Sequence, residues 1–169
     1  MGIFLYFYPL NFQNMSAFIG DYSCKVDVKG RVLLPSAFIK QLPVKSQGRF
    51  VIKKDIFEKC LVLYPMNEWE YQTKLIRSKI NPYKKEHNIF LRNFYKGTAE
   101  LVLDSSNRLL IPKRLLEEAG IIRDLIMAGQ DSKIEIWLKE NYEAQSFVDD
   151  EFARLAEKIM DEPYQNSGE

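Results

Sequence analysis

An aspartate and an arginine occur twice at the same spacing in this sequence. The four residues are Asp27 and Arg31 in the first copy and Asp104 and Arg108 in the second. Three aliphatic residues follow each arginine, and Pro35 and Pro112 then close the two copies. An arginine can bind an anionic surface, and an aspartate paired with it can stiffen the loop that carries them both. The two copies indicate an internal duplication, which decides the prediction of the fold.

The residues around each pair predict a strand, a tight loop, a second strand and a short helix. Apolar and polar residues alternate before the loops, at 22–26 and 99–103, as they do in half-buried strands. Gly30 in the first loop and Asn107 in the second suit a tight turn, because both residue types tolerate a positive φ. The proline after each second strand suits the first turn of a helix.

Two interpretations of the Asp–Arg pairs are open from the residues alone. In the first, each pair only stiffens its own loop, and Asp27 and Asp104 fit this role as well as any other. In the second, the arginines bind a partner. Arg31 and Arg108 favour the second interpretation, because an arginine repeated at two loop ends is well placed to meet an anionic surface.

Four segments resemble, in the same order along the chain, motifs of the MraZ family of bacterial proteins, which belongs to the AbrB-like swapped-hairpin superfamily. The segments are Asp-Val-Lys-Gly-Arg at 27–31, Asp-Ser-Ser-Asn-Arg at 104–108, Cys60 to Pro65 with Glu68-Trp69-Glu70, and Gly129-Gln130-Asp131 with Ile134 to Trp137. The resemblance covers the chain from about Phe18 to Tyr142. One difference is Asn107, where the family tends to have glycine.

The resemblance implies an α+β fold. Two tandem AbrB-like strand-loop-strand-helix units would interlace into one pseudo-twofold β-barrel with flanking helices, and neither half would be stable alone. The expected divisions are an N-terminal extension (1–14), a first repeat (18–80), a connecting helix (81–96), a second repeat (97–145), and a C-terminal helix with an acidic tail (146–169).

The same resemblance implies a sequence-specific transcriptional regulator that binds double-stranded promoter DNA of its own cell-division and cell-wall gene cluster. A ring-like homo-oligomer would present several loop pairs to repeated DNA boxes, so weak contacts would combine as avidity. It also implies a cytoplasmic, nucleoid-associated protein with no membrane partner and no small-molecule substrate. A ring-forming structural or protein-interaction module is the alternative function.

The two loops are expected to divide the work of binding DNA. The expected DNA contacts are Arg31, Arg108, Lys29 and Lys25. Arginine binds guanine O6 and N7 bidentately in the major groove, whereas lysine mostly contacts phosphate. The residues expected to brace the loops are Asp27, Asp104, Gly30 and Asn107. A bare carboxylate would repel phosphate, so bracing is the expected use of the aspartates.

Composition indicates a globular protein. The chain has 169 residues, of which 46% are hydrophobic and 28% charged, which suits one domain or two closely packed halves. The net charge of +1 does not by itself indicate a nucleic-acid partner. The charges are unevenly placed, with a basic run from Lys74 to Arg92 and an acidic segment from Glu140 onward. The basic run either follows the DNA backbone or forms a solvated helix face.

Catalytic and metal sites are not expected. His87 is the only histidine, and Cys24 and Cys60 lie in apolar segments typical of buried, reduced thiols. No glycine-rich phosphate loop and no nucleophile–base pattern is present. The sequence therefore predicts no enzyme activity, no metal and no cofactor.

The two ends of the chain carry apolar residues outside the repeats. Residues 1–14 lack the basic start and small-residue cleavage site of a signal peptide, so we expect an upstream extension or a misassigned start. No apolar stretch reaches transmembrane length. The last predicted helix has an apolar face of Val148, Phe152, Leu155 and Ile159. Packing on the chain's own core is the favoured use of that face, and partner binding is the alternative.

Overall fold

The computed structural model describes residues 17–145 and 147–162, so the extension predicted at residues 1–14 lies outside the described residues. The strands are β1 (Asp21–Lys25), β2 (Arg31–Leu33), β3 (Arg49–Lys54), β4 (Leu61–Pro65), β5 (Ala99–Val102), β6 (Arg108–Leu110), β7 (Asp124–Gln130) and β8 (Lys133–Leu138). The helices are α1 (Ser36–Gln41), α2 (Met66–Lys79), α3 (Lys85–Tyr95), α4 (Lys113–Glu118), α5 (Lys139–Glu143) and α6 (Asp149–Asp161).

A proline stands directly before the short helix of each repeat. Pro35 precedes α1 and Pro112 precedes α4, and their ψ angles of 137° and 131° are extended. Each proline is therefore the N-cap residue, one position earlier than the sequence predicts. At the end of α4, Gly120 has a φ of +72° and donates its N–H to the Glu117 carbonyl, as a helix-ending glycine does.

The connection between the repeats differs from the prediction at one point. The connecting helix was expected to begin near residue 81, but α3 begins at Lys85. Asn81 holds the intervening residues in a turn, because its Oδ1 accepts the Tyr83 N–H at 3.0 Å and its carbonyl accepts the Lys84 N–H at 3.1 Å. An Asx turn of this kind competes with helix initiation.

The strands of the two repeats pair across the molecule. A six-stranded antiparallel sheet has the order β1-β7-β8-β4-β3-β5, and β2 and β6 form a separate antiparallel ribbon. Strand β1 of the first repeat lies on β7 of the second, and β5 of the second lies on β3 of the first. This pairing confirms the predicted α+β class. Closure into a barrel and the AbrB-like form stay predictions.

Equivalent residues of the two repeats face each other at two places. In the ribbon Val32 lies opposite Leu109, and each is the fifth residue after its aspartate. In the centre of the sheet, β4 pairs with β8 so that Val62 lies opposite Glu135. These residues precede Trp69 and Tyr142 by the same distance in the chain. The two pairings therefore lie on one pseudo-twofold axis.

One hydrophobic core draws on both repeats. Phe38 and Phe50 of the first repeat and Leu109, Leu115 and Ile136 of the second are fully buried in the same cluster. Burial of an aliphatic or aromatic side chain of this size stabilises a fold by about 1.5–3 kcal/mol. Because the core is shared, each repeat depends on the other for its packing.

Helix α6 differs from the packing that the sequence favoured. None of its residues is buried, and its apolar residues Phe152, Leu155 and Ile159 are 61%, 39% and 56% exposed. The favoured interpretation, in which this face packs on the chain's own core, is therefore wrong.

Among the described helices, none is both long and apolar enough to cross a membrane.

Candidate nucleic-acid interface

The first loop is held by the carboxylate of Asp27. Its Oδ1 accepts the backbone N–H groups of Lys29 and Arg31, both at 2.9 Å, and its Oδ2 accepts the Arg31 Nε–H at 2.8 Å. The backbones of Asp27 and Arg31 also bond each other at 2.9 Å where the loop closes. One side chain thus fixes the backbone of the loop and the direction of the arginine.

The second loop repeats this arrangement. Asp104 Oδ1 accepts the N–H groups of Ser106 and Arg108 at 2.9 Å, and its Oδ2 accepts the Arg108 Nε–H at 2.9 Å. Asn107 has a φ of +58°, in the left-handed region that Gly30 occupies at +92° in the first loop. The two loops therefore share one backbone conformation despite the difference in residue type.

Hydrogen bonding lowers the pKa of both loop carboxylates below the ordinary value of 3.8. The backbone N–H of Arg31 is the largest cause for Asp27, and that of Arg108 is the largest cause for Asp104. Both groups are therefore ionised at neutral pH. Their bracing is fully present above the ordinary pKa and is lost as the pH falls through the lowered pKa of the folded protein. Both carboxylates lie at the surface, where solvent screens such pairs.

Reciprocal backbone bonds tie the two loops together. The Ile111 N–H donates to the Gly30 carbonyl at 2.8 Å, and the Leu34 N–H donates to the Asn107 carbonyl at 2.9 Å. A Cβ atom on Gly30 would lie only 2.7 Å from the Ile111 oxygen. The first loop therefore requires glycine both for its φ and for this close approach.

The ribbon presents a surface with an arginine at two diagonal corners. Arg31 lies opposite Leu110 and Leu33 lies opposite Arg108, whereas the residues between them face the core. Leu33 and Leu110 are 60% and 57% exposed. From strand geometry, the Cα atoms of the two arginines are about 8 Å apart. We call the four residues Arg31, Leu33, Arg108 and Leu110 the ribbon face.

Part of each guanidinium is free to bind a partner. Among the described residues, the recorded contacts of the Arg31 and Arg108 side chains are the Nε–H bonds to their own aspartates. The two side chains are 33% and 36% exposed. The two Nη atoms of each arginine can therefore donate hydrogen bonds outward, which is the fork that binds guanine or phosphate.

The surroundings of the two loops differ in charge. Lys25 and Lys29 are exposed beside the first loop, and the carbonyl of exposed Arg123 accepts the Val26 N–H at 2.9 Å. At the equivalent position beside the second loop, Leu103 bonds to Gly48. Arg49, which follows Gly48, forms a 2.7 Å ion pair with Glu100 that offsets its positive charge. The first loop therefore has the more positive surroundings, even when exposed Asp124, which lies opposite Lys25 in the β1–β7 pair, is counted against them.

Sequence reasoning missed three residues of this surface. Leu33 and Leu110 lie in runs of consecutive apolar residues, and such a run does not show which side faces solvent. Arg123 joins the first loop through pairing between β1 and β7, which are about a hundred residues apart in the chain. No local pattern marks that contact, although the duplication itself suggests that each half completes the other.

The described residues contain neither a cluster of metal ligands nor an activated thiol. No group of three or more His, Cys, Asp or Glu side chains in residues 17–145 and 147–162 is placed to hold a metal. Cys60 is buried, Cys24 is half-buried, and both are free thiols. Burial is the largest cause that raises the pKa of Cys24 to about 11 and that of Cys60 to about 12. Neither thiol is therefore activated as a nucleophile.

Comparison with known proteins places this duplicated chain in a family. The profile of the MraZ protein family matches it twice, at residues 17–93 and 94–161. A protein of Christiangramia forsetii named transcriptional regulator MraZ is 45% identical over 144 residues, which cover 84% of this chain and 92% of that protein. A protein of the same name from Bacteroides thetaiotaomicron is 37% identical over 155 residues, covering 92% and 99%. One from Clostridium tetani is 33% identical over 144 residues, covering 85% and 97%. Since both halves match the profile and the relatives align over most of their length, the chain belongs to the MraZ family.

Proposed function

We propose that this protein is a sequence-specific, double-stranded DNA-binding transcriptional regulator. The ribbon face carries the proposal, because it places two oriented arginines at the corners of a small exposed β-ribbon. Relatives aligned over most of the chain are named transcriptional regulators. A regulator of this kind needs no catalytic centre, and we assign it none.

The ribbon face suits the major groove. That groove is about 12 Å wide and admits a two-stranded β-ribbon. Arg31 and Arg108 would each donate two hydrogen bonds to guanine O6 and N7, while their aspartates keep the guanidinium groups turned outward. Exposed Leu33 and Leu110, between the arginines, would contact thymine methyl groups. Specificity would then come from the face and not from either loop alone.

Phosphate contacts would come mainly from the first loop. Lys25 and Lys29 are exposed beside it, and Arg123 joins them from the start of β7. These cations would hold the protein on the duplex without reading sequence. The second loop has Arg108 among uncharged residues, so its contribution would depend more on the base that it meets.

We further propose that the target is promoter DNA with repeated boxes upstream of the protein's own cell-division and cell-wall gene cluster. A ring-like homo-oligomer, acting in the cytoplasm at the nucleoid, would present one ribbon face per subunit. Several weak contacts made together would give a much higher affinity than any one of them. Each subunit would itself be a swapped-hairpin barrel of AbrB-like form, with residues 81–96 connecting its halves. The cross-repeat pairing of β1 with β7 and of β5 with β3 supports that form.

Footprinting of the purified protein on the DNA upstream of its own gene tests this function. We expect protection of short, regularly spaced boxes, with affinity that falls as salt rises. A scrambled duplex of the same length and composition is the control. Equal affinity for both duplexes would contradict a sequence-specific regulator. Equal affinity together with intact assembly would instead favour the structural or protein-interaction module, for which the uncovered face of α6 would be the main argument.

A further inference from the structure

A pocket of about 610 Å³ lies where the connecting helix α3 meets both repeats. Its walls come from the end of β3 and the loop that follows it, from the second half of α3 with Gly97, and from α4. Small-molecule sites have volumes of roughly 300–1,000 Å³ and occur preferentially between structural units. The pocket is separate from the ribbon face, because none of the four residues of that face lines it.

Lys53 in the wall of this pocket is a buried cation. It is only 4% exposed, although lysine is almost never buried without a partner of opposite charge. The Lys53 Nζ donates to the Lys54 carbonyl at 3.2 Å and lies 4.4 Å from the centre of the Phe94 ring. Both contacts are to other parts of the pocket wall, and both partner groups are uncharged. Burial is the largest cause that lowers the pKa of Lys53, and the charge of Asp55 partly offsets it. The ammonium group therefore lacks a close counter-ion.

Three further cations line the pocket, namely Lys54, Lys96 and Arg114, and all three are exposed. The ion pairs recorded in the described part of the chain all involve other residues, so none of the pocket cations is paired with a carboxylate there. Arg114 Nη2 donates to the Gly97 carbonyl at 2.8 Å, which holds the guanidinium at the rim of the pocket. The rest of its fork can bind an anion.

Two carboxylates also line the pocket, but they offset only part of this charge. Asp55 Oδ2 accepts the N–H groups of Phe57 and Glu58, both at 2.9 Å, so this side chain braces the turn after β3. Glu118 is exposed on α4. Because the lining cations outnumber the lining carboxylates, the pocket has a net positive charge and attracts anions.

An apolar surface forms another part of the wall. Ile56 is 56% exposed and Phe90 is 43% exposed, and the Phe90 ring stacks on the Phe94 ring with 5.9 Å between their centres. An exposed aromatic face of this kind packs well against a flat or apolar group. A ligand that fits both parts of the wall has a compact anionic head and an apolar body.

We propose that this pocket binds a small organic phosphate, that is, a phosphate ester with an apolar or aromatic body. The phosphate group serves as the counter-ion of Lys53 and accepts hydrogen bonds from Lys96 and Arg114, while the body packs on Phe90. A phosphate ester suits several donors better than a single carboxylate does, because it carries a charge of about −1.5 to −2 and three acceptor oxygens. The ligand is a bound effector and not a substrate, since we assign the protein no catalytic centre.

Binding of phenyl phosphate to the full chain tests this site, with inorganic phosphate and phenol as probes for the head and the body alone. One variant, Lys53→Met, removes the buried charge but keeps a long apolar side chain. The rim variant carries Lys96→Gln and Arg114→Gln, at exposed positions where the interior is not disturbed. A control, Lys45→Gln, removes one exposed positive charge that does not line the pocket. Titration calorimetry at constant ionic strength measures affinity, and thermal unfolding measures stabilisation.

We expect phenyl phosphate to bind saturably and more tightly than inorganic phosphate or phenol. It should raise the unfolding temperature of wild type and control, because the ligand holds both repeats and the connecting helix together in the folded state. Lys53→Met and the rim variant should each bind it about tenfold more weakly or worse, because each loses charged hydrogen-bond donors. If Lys53→Met does not fold, the rim variant decides the question.

The absence of saturable binding to wild type would overturn the proposal. So would a rim variant with wild-type affinity, or phenyl phosphate that binds no more tightly than inorganic phosphate. A rim variant that loses affinity for all DNA, in a protein that does not bind phenyl phosphate, would assign these cations to the DNA backbone. Phenyl phosphate binding is measured without DNA, so a protein that fails to recognise its upstream DNA would contradict the proposed function and leave this site standing.

Discussion

Gly30 and Asn107 hold the same position in the two loops but meet different surroundings. Gly30 is buried against the Ile111 carbonyl oxygen, and its φ of +92° is one that side chains rarely adopt. Asn107 is exposed, and its φ of +58° is one that asparagine tolerates. The duplication has therefore kept the backbone conformation while relaxing the residue requirement in only one loop.

Gly30→Ala should lower the free energy of unfolding by about 1–3 kcal/mol, because it adds both backbone strain and a steric clash. Asn107→Gly is the matched variant and should lie within about 1 kcal/mol of wild type, because glycine adopts the same φ without strain. Urea unfolding followed by circular dichroism measures both. Equal losses in the two variants would show that the close approach at Gly30 does not limit the loop.

The unequal charge of the loops predicts unequal mutant behaviour. Lys29→Ala should flatten the dependence of log affinity on log salt by about 0.9, and should weaken specific and scrambled duplexes alike. Arg108→Ala should mainly reduce the preference for the specific duplex. Binding isotherms for both variants over a salt series measure these effects. An unchanged slope for Lys29→Ala, with equal losses for Arg108→Ala on both duplexes, would contradict the assigned roles.

The two cysteines should react slowly in the folded protein. Burial raises the pKa of Cys24 from 9.0 to about 11, so the thiolate fraction near pH 8 falls by about 100-fold. Cys60 should be slower still, with a pKa of about 12. Labelling with a thiol reagent at pH 8, with and without denaturant, measures this protection. Fast labelling of the native protein would contradict the packing around the sheet.

At the scale of elements, the exchange of strands makes the repeats interdependent. Strand β1 has its pairing partner in the second repeat and β5 has its partner in the first. Fragments 17–96 and 97–162 alone should therefore show no cooperative thermal unfolding, and a mixture of the two should recover it. Circular dichroism melting of each fragment and of the mixture measures this. Cooperative melting of either fragment alone would contradict the shared core.

The sequence predicted the positions of strands and helices better than it predicted which of them pack together. Helix α1 begins at Ser36, one residue after the proline that predicted its start, and the strands before the loops lie where the alternation placed them. Local patterns carry this information because turns, caps and periodicity act over a few residues. The two loops and their aspartates were found for the same reason.

Contacts between residues that are distant in the chain could not be predicted from local patterns. The amphipathic pattern of α6 shows an apolar face but not what covers it, so the favoured packing on the chain's own core was wrong. The ribbon face depends on the register of β2 against β6, which places Leu33 and Leu110 outward between the arginines. A one-residue change of register would reverse that face, and three consecutive apolar residues do not specify it.

At the scale of the whole molecule, the pseudo-twofold axis runs through the ribbon and the centre of the sheet. It brings the two loops to one ribbon, to which each repeat contributes one strand. The helices at the two ends break this symmetry, because α2–α3 forms a groove and α6 stands uncovered. The symmetric part carries the DNA contacts that we propose.

Substitution of Arg31 tests the central claim most directly. Binding of wild type, Arg31→Ala and Arg31→Lys to the upstream DNA and to a scrambled duplex is the measurement, with thermal unfolding as the check on the fold. Arg31→Ala should lose about 1–3 kcal/mol per site on the upstream DNA. Arg31→Lys should lose most of that preference while keeping its affinity for scrambled DNA, because lysine keeps the charge but not the guanidinium fork. A well-folded Arg31→Ala protein that binds the upstream DNA as tightly as wild type would contradict the account.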